Sequence, residues 1–226
     1  LIANTVTLKA PLSSGSAGIL LSALDSVFIA TRNQVVLDSV VSGLTYGISV
    51  NNTINTSRDS SALLGNRVEA KGNNLAAVFA LYIAGSRNVY AANNVIAING
   101  AGSAAYGLYL APGSSSVRCY NNTVNMRAAL PNSYAAYLSG SASSGNLVLR
   151  NNVFSNEGGG RAVLLSNTSH FSSDYNLLHT NGPVLVQQAT GTPSQFATLP
   201  AWKAASNWDR NSIGIAPAFT DTVTLR

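Results

Sequence analysis

Three tyrosines, Tyr82, Tyr109 and Tyr137, each occupy the middle of an apolar triplet, Leu81-Tyr82-Ile83, Leu108-Tyr109-Leu110 and Ala136-Tyr137-Leu138. In an extended strand the outer pair turns to one side and the tyrosine to the other. Three such segments side by side give an aromatic strip about 10 Å long at strand spacing. Sugars pack their apolar C–H faces on aromatic rings, and a phenol adds a hydrogen bond at modest entropic cost. The competing reading is a sheet face stabilised by aromatic pairs, each worth a few tenths to about 1 kcal/mol. In a third reading Leu20, Leu164 and Leu185 extend the strip into a contact surface for another domain. Tyr46, Phe79, Tyr106 and Tyr134 have the parity of the inward residues two places later, so an internal or turn-facing aromatic stack is expected of them.

A second set is polar. Tyr90, Arg118, Tyr120, Arg150 and Asp174 fall at outward positions of a different strand on adjoining repeats. Charge-assisted hydrogen bonds from the arginines suit uronate or sulfate groups, and Arg118, Arg150 and Asp174 are the candidates for catalysis. The plainer reading is a solvated face with Arg150 paired to Asp174 and Arg118 lying over a tyrosine. Arg58, Asp59 and Arg87 are further charged residues to test. His170 and His179 flank Asp174-Tyr175-Asn176 without Cys or acid partners at metal-ligand spacing, and read as turn histidines. No metal site and no cofactor is expected, with calcium left open.

The elements that position these residues are written in an asparagine column. Asn4, Asn33, Asn66, Asn94, Asn122, Asn152 and Asn176 recur at intervals of 29, 33, 28, 28, 30 and 24, each two places before an apolar residue: Val6, Val35, Val68, Ile96, Val124, Phe154 and Leu178. A period of this length with β-type residues means stacked coils. A sharp turn between short strands needs one left-handed residue, a geometry Asn tolerates, and stacked amides can bond in a ladder. Apolar-x-apolar segments before each asparagine supply a first strand, beginning with Ile19-Leu20-Leu21 and ending with Val184-Leu185-Val186. Phe28 to Thr31, Val89 to Ala92, Val117 to Tyr120 and Leu147 to Arg150 supply a second. The expectation is an all-β parallel solenoid of about seven coils, three strands per coil, over 1–193. Residues 194–226 form a cap and tail, in which Phe196, Leu199, Trp202 and Ala205 mark a short amphipathic helix closing the last coil, with Trp202 and Trp208 as capping core.

The repeated form seen in Asn93-Asn94-Val95-Ile96, Asn121-Asn122-Thr123-Val124 and Asn151-Asn152-Val153-Phe154 resembles the right-handed parallel β-helix of the pectate-lyase-like superfamily. The likeness covers about 1–186 and continues through Ser173-Asp174-Tyr175-Asn176, Trp202, Trp208-Asp209 and Ala216-Pro217-Ala218-Phe219, an ending similar to that of secreted bacterial β-helix proteins. It implies an asparagine ladder between the second and third strands, right-handed coiling, which parallel crossovers also favour, and a ligand lying across the first strand. The outward residues there, Leu20, Ser49, Tyr82, Tyr109, Tyr137, Leu164 and Leu185, include no acid or base. Hydrolysis of the family type needs converging carboxylates, and elimination needs a calcium site with a basic residue. The eight acids are spread along the chain, with no adjacent Asp pair, no Gly-His-Gly and no Arg-Ile-Lys. A fold-level likeness of this kind is shared by enzymes and non-enzymes.

Composition sets outer bounds. Only 9% of the 226 residues are charged, so the polar surface comes from Ser, Thr, Asn and Gly, which suits an extracellular or cell-surface protein. The net charge of +5 is scattered without a Lys/Arg run, so nucleic acid is not expected as a partner. No apolar run is long enough to span a membrane. Cys119, the single cysteine, falls at an inward position and reads as a core thiol. The chain begins in mid-coil, which leads to the expectation of a piece of a longer protein. The leading expectation is a non-catalytic module that binds polysaccharide or acts as a rigid spacer beside other domains of a parent protein. The alternatives are a polysaccharide lyase or glycoside hydrolase, and a protein-interaction stalk.

Overall fold

The computed structural model describes residues 1–9, 15–38, 43–56, 59–71, 77–139, 146–166, 170–189 and 194–219. Arg58, the last residues of the tail and the Asn167-Thr168-Ser169 glycosylation sequon lie outside them.

The chain winds as a parallel β-solenoid with three sheets running its length. The first sheet holds Ser16–Ser22, Thr45–Asn51, Val78–Ala84, Ala105–Leu110, Ser133–Leu138, Arg161–Leu165 and Val186–Gln188. The second holds Ile29–Thr31, Ser61–Leu64, Arg87–Ala92, Ser115–Tyr120, Leu147–Arg150 and Phe171–Asp174. The third holds Thr5–Leu8, Gln34–Leu37, Arg67–Ala70, Val95–Ile98, Thr123–Met126, Val153–Asn156 and Leu177–Thr180. The stack amounts to about five turns where seven were expected. Thr5–Leu8 and Val186–Gln188 belong to partial coils at the two ends.

Stacking in register makes every inward column continuous. Val35, Val68, Ile96, Val124, Phe154 and Leu178 pair in sequence along the third sheet and are all buried. Cys119 lies in the equivalent inward column of the second sheet, and burial pushes its thiol up to about 12, so it stays a neutral core residue.

The asparagine turn is built by two residues, not one. The left-handed position is the residue before each ladder asparagine: Ala3, Arg32, Gly65, Asn93, Asn121, Asn151 and Tyr175, with φ between 53° and 60°. This corrects the expectation that the ladder residue itself turns the chain. The ladder asparagine instead points inward and bonds along the stack. The Oδ1 of Asn122 accepts from the backbone N–H and the Nδ2 of Asn94 at 3.1 and 2.9 Å. The Nδ2 of Asn122 then donates to Asn152 Oδ1 and to the carbonyl of Ala91, both at 3.0 Å. Both acceptor sites and both donor hydrogens of the amide are thereby engaged, which is what a buried carboxamide requires.

The C-terminal end is closed. Ser194–Phe196 pairs antiparallel with Val186–Gln188, and the helix is shorter than expected, Leu199–Ala205. Thr198 caps it and Pro200 sits in its first turn, so Phe196 belongs to the strand and not to the helix face. Leu199 and Trp202 face the last coil, and Trp208 packs edge-on against Phe171 at 5.1 Å. The tail then imitates one more coil. Ser212 Oγ accepts from Asn176 N at 2.8 Å, and Ile213 bridges to Leu177 in parallel. Asp209, buried, accepts from Trp202 Nε1 at 2.9 Å, Ser173 Oγ at 2.8 Å, Ser212 Oγ at 2.7 Å and Asn176 Nδ2 at 3.2 Å. The last amide of the ladder thereby finds one acceptor in the cap, beside Ser173 Oγ and the carbonyl of Leu149.

Candidate functional site

The aromatic face begins with a departure from strict alternation. In the first sheet, Gly47 and Ile48, Ala80 and Leu81, Gly107 and Leu108, and Ala135 and Ala136 are successive residues that are both buried. A Cβ on Gly107 would meet Val124 Cγ1 at 2.3 Å and Ala135 O at 2.6 Å, which places this position against the third sheet across the core. Two inward residues in succession shift the parity, so side chains three apart emerge on the same side. Tyr46, Phe79, Tyr106 and Tyr134, expected in an internal or turn-facing stack, thus stand on the outer face beside Tyr82, Tyr109 and Tyr137.

The seven rings form two rows. Phe79 stacks on Tyr46 at 5.2 Å and on Tyr106 at 4.6 Å, and Tyr106 on Tyr134 at 5.5 Å, with interplanar angles of 7–20°. Tyr82, Tyr109 and Tyr137 stack likewise at 5.4 and 4.7 Å. Between rows the contacts are edge-on, as for Tyr106 and Tyr109 at 5.1 Å and 90°. Sheet geometry explains the arrangement: parallel rings one strand apart reach contact at about 3.5 Å only by tilting roughly 40° from the stack axis. Two rows tilted in opposite senses then cross at nearly a right angle. Ring faces are occupied by neighbouring rings, which leaves ring edges and phenol hydroxyls outside the stacking contact. None of the six hydroxyls hydrogen-bonds to a described residue. Burial, then the neighbouring phenols Tyr137, Tyr106, Tyr82 and Tyr46, push the Tyr109 hydroxyl up to about 12, so it is a neutral donor and acceptor at ordinary pH.

The rows stop where the register meets other residues. Arg161 follows Tyr134 and holds its guanidinium 5.5 Å from that ring, and Leu164 follows Tyr137. Leu164 and Leu185 are both buried, which removes the leucine strip, with Leu20 the one exposed member. Leu185 is also out of the column, because the residue in register is Gln187. Val184-Leu185-Val186 is therefore offset by two from the repeats before it.

On the second sheet the expected outward set is found in two columns. Tyr90 pairs with Arg118 and Val148, and Ala92 with Tyr120, Arg150 and Asp174. Tyr90 and Tyr120 meet edge-on at 5.6 Å. Arg118 does not lie over a tyrosine: its Nη2 donates to Ser60 Oγ and to Asn88 Oδ1. Arg150 instead stands over Tyr175, 5.7 Å from the ring centre. Asp174 accepts from Asn211 N at 2.7 Å, Asn211 Nδ2 at 2.8 Å and Tyr175 N at 2.9 Å, which ties the tail to the last turn. Burial alone raises its carboxyl, but these hydrogen bonds and the charge of Arg150 outweigh that and lower it. It is thus an ionised anchor of the cap, which gives it a structural role beside any in catalysis. Arg87 Nε donates to Ser115 Oγ at 3.3 Å. His170 occupies a turn, as read from the sequence, with left-handed φ, whereas His179, also read as a turn residue, lies in the strand Leu177–Thr180.

Among the described residues no three of His, Cys, Asp and Glu converge as metal ligands. A concavity of about 620 Å³ between the last coil and the helix is mostly apolar, and its Lys203 already donates to Ser212 O at 2.7 Å. Sequence reasoning named the stack of Tyr46, Phe79, Tyr106 and Tyr134 but missed its outward placement, and it missed the Asp209 network. The signal for the first was present in Gly47, Ala80, Gly107 and Ala135, small residues in one register. No family model matches the chain, and neither the curated proteins nor the solved structures give a match.

Proposed function

We propose that this solenoid is a non-catalytic module of a secreted or surface protein that binds polysaccharide on the aromatic face of its first sheet. The observation that carries the reading is the set of six tyrosine hydroxyls, held in two rigid rows and lacking partners among the described residues. A ligand with many hydroxyls satisfies such rows by exchanging donors and acceptors, and its apolar C–H groups rest on the ring edges. The rings are fixed by stacking, so little side-chain entropy is lost on binding. The low charge of the chain supports an extracellular setting, and the Asn-Asn-x-Val repeat supports a relation to the pectate-lyase-like superfamily. The wide separation of the acids along the sequence supports binding without cleavage.

A second reading comes from the ring faces. Because each is covered by its neighbours, the rows also suit a purely structural seam in a rigid spacer. One variant separates the two. Replacing Tyr82, Tyr109 and Tyr137 together by Phe keeps the stacks and removes three hydroxyls. On a glycan array the protein is expected to retain at least one polysaccharide without releasing new sugar ends, and the triple variant to lose at least about tenfold in affinity with its melting temperature unchanged. Equal retention by the triple variant, or no retention of any glycan, leaves the spacer reading; new reducing or unsaturated ends would mean an enzyme.

A further inference from the structure

The outer face of the second sheet carries a cation that pairs with no acid among the described residues. Arg118 is exposed, and its partners among the described residues are the neutral Ser60 and Asn88. Beside it lies a hollow of about 430 Å³ lined by Asn88, Ser116, Arg118, Asn146 and Val148. Neither Ser116 nor Asn146 uses its side chain in a hydrogen bond to a described residue. The hollow therefore gathers one guanidinium, one hydroxyl and one carboxamide with donors to offer, over an apolar floor at Val148.

Asn88 and Ser116, one coil apart, both hold left-handed φ, 61° and 52°, and both border the hollow.

We propose that this hollow binds a tetrahedral oxoanion, the sulfate or phosphate group of an ester, with Arg118 supplying charge and Ser116 and Asn146 supplying neutral donors. A planar carboxylate is served by one side of a guanidinium fork alone. Donors arriving from Ser116 and Arg118 on one strand and from Asn146, just ahead of the strand Leu147–Arg150 on the next coil, fit a group that shows three oxygens at once. The site is on a different sheet from the aromatic rows and does not depend on them.

Calorimetric titration of the whole chain with sodium sulfate and sodium phosphate, against sodium chloride at matched ionic strength, tests the assignment. Saturable binding of sulfate or phosphate is expected, weakened about tenfold or more by Arg118→Gln, partly kept by Arg118→Lys and weakened severalfold by Asn146→Ala. Arg150→Gln and the triple tyrosine-to-Phe variant are expected to bind like the parent. Sulfated and phosphorylated oligosaccharides as second titrants then show which ester is preferred. Heats that follow ionic strength alone for all three salts, or an affinity that survives Arg118→Gln, would overturn the proposal.

Discussion

The asparagine ladder and the aromatic rows are both columns of like residues repeated once per coil, yet they treat their polar atoms in opposite ways. An interior ladder amide gives both hydrogens and both acceptor sites to the stack, as Asn94, Asn122 and Asn152 do in succession. Nothing remains for a ligand. The tyrosines stack through their rings, a contact that leaves the hydroxyl out of the interaction. Repetition alone therefore does not make a binding surface. What matters is whether the atoms that stack are the same atoms that hydrogen-bond.

The largest expected effect tests whether the ladder is closed. Asn122→Ala leaves the N–H and one Nδ2 hydrogen of Asn94 without their acceptor and takes from Asn152 Oδ1 one of its two donors, all buried. A loss of about 3–5 kcal/mol is expected by chemical denaturation. Asn4→Ala, at the exposed end, is expected to change stability by no more than about 1 kcal/mol. Similar losses at the two positions would mean that the amides act as isolated turn residues.

A smaller effect separates the phenols from the amides, which do not titrate. The Tyr109 hydroxyl ionises near 10.0 in an unstructured chain and at about 12 in the stack. The unfolded chain thus loses its proton first, and stability falls as pH rises from 10 toward 12 while being fully present below 10. Alkaline unfolding followed by phenolate absorbance should show this slope, reduced in Tyr109→Phe. A slope unchanged by that substitution would place the coupling elsewhere.

The smallest effect concerns a buried polar residue outside the ladder. Ser155 is fully buried in the third sheet, and its hydroxyl has no hydrogen-bond partner among the described residues. Ser155→Ala is expected to be neutral or to stabilise by up to about 1 kcal/mol, because it removes an unsatisfied group and almost no volume. A clear loss in thermal or chemical denaturation would show that this row is bonded in solution and belongs with the ladder.

Much of this was legible before any coordinates. The intervals between asparagines placed the ladder, and alternation put Arg118, Tyr120 and Arg150 outside and Cys119 inside. The errors share a cause. Tyr46, Phe79, Tyr106 and Tyr134 were misplaced because a period of two was carried through a point where the backbone puts two residues inward. Leu185 was misplaced because the last coil shifts by two. The turn was credited to the ladder asparagine because its neighbour varies, from Ala3 and Arg32 to Gly65 and Tyr175, and so forms no column in the sequence. Asp209 escaped notice because a lone acid in an irregular tail carries no pattern at all.

The sequence by itself determined the class of fold, since an apolar column and an asparagine column at one period can be buried together only by stacking coils. It also determined which residues share a column. Only the tertiary structure decided which side each column faces where alternation breaks, how far the rings must tilt to touch, and which tail residues close the ladder. Those outcomes depend on how closely the first and third sheets approach across the core, a distance set by packing three sheets at once and not by any one repeat.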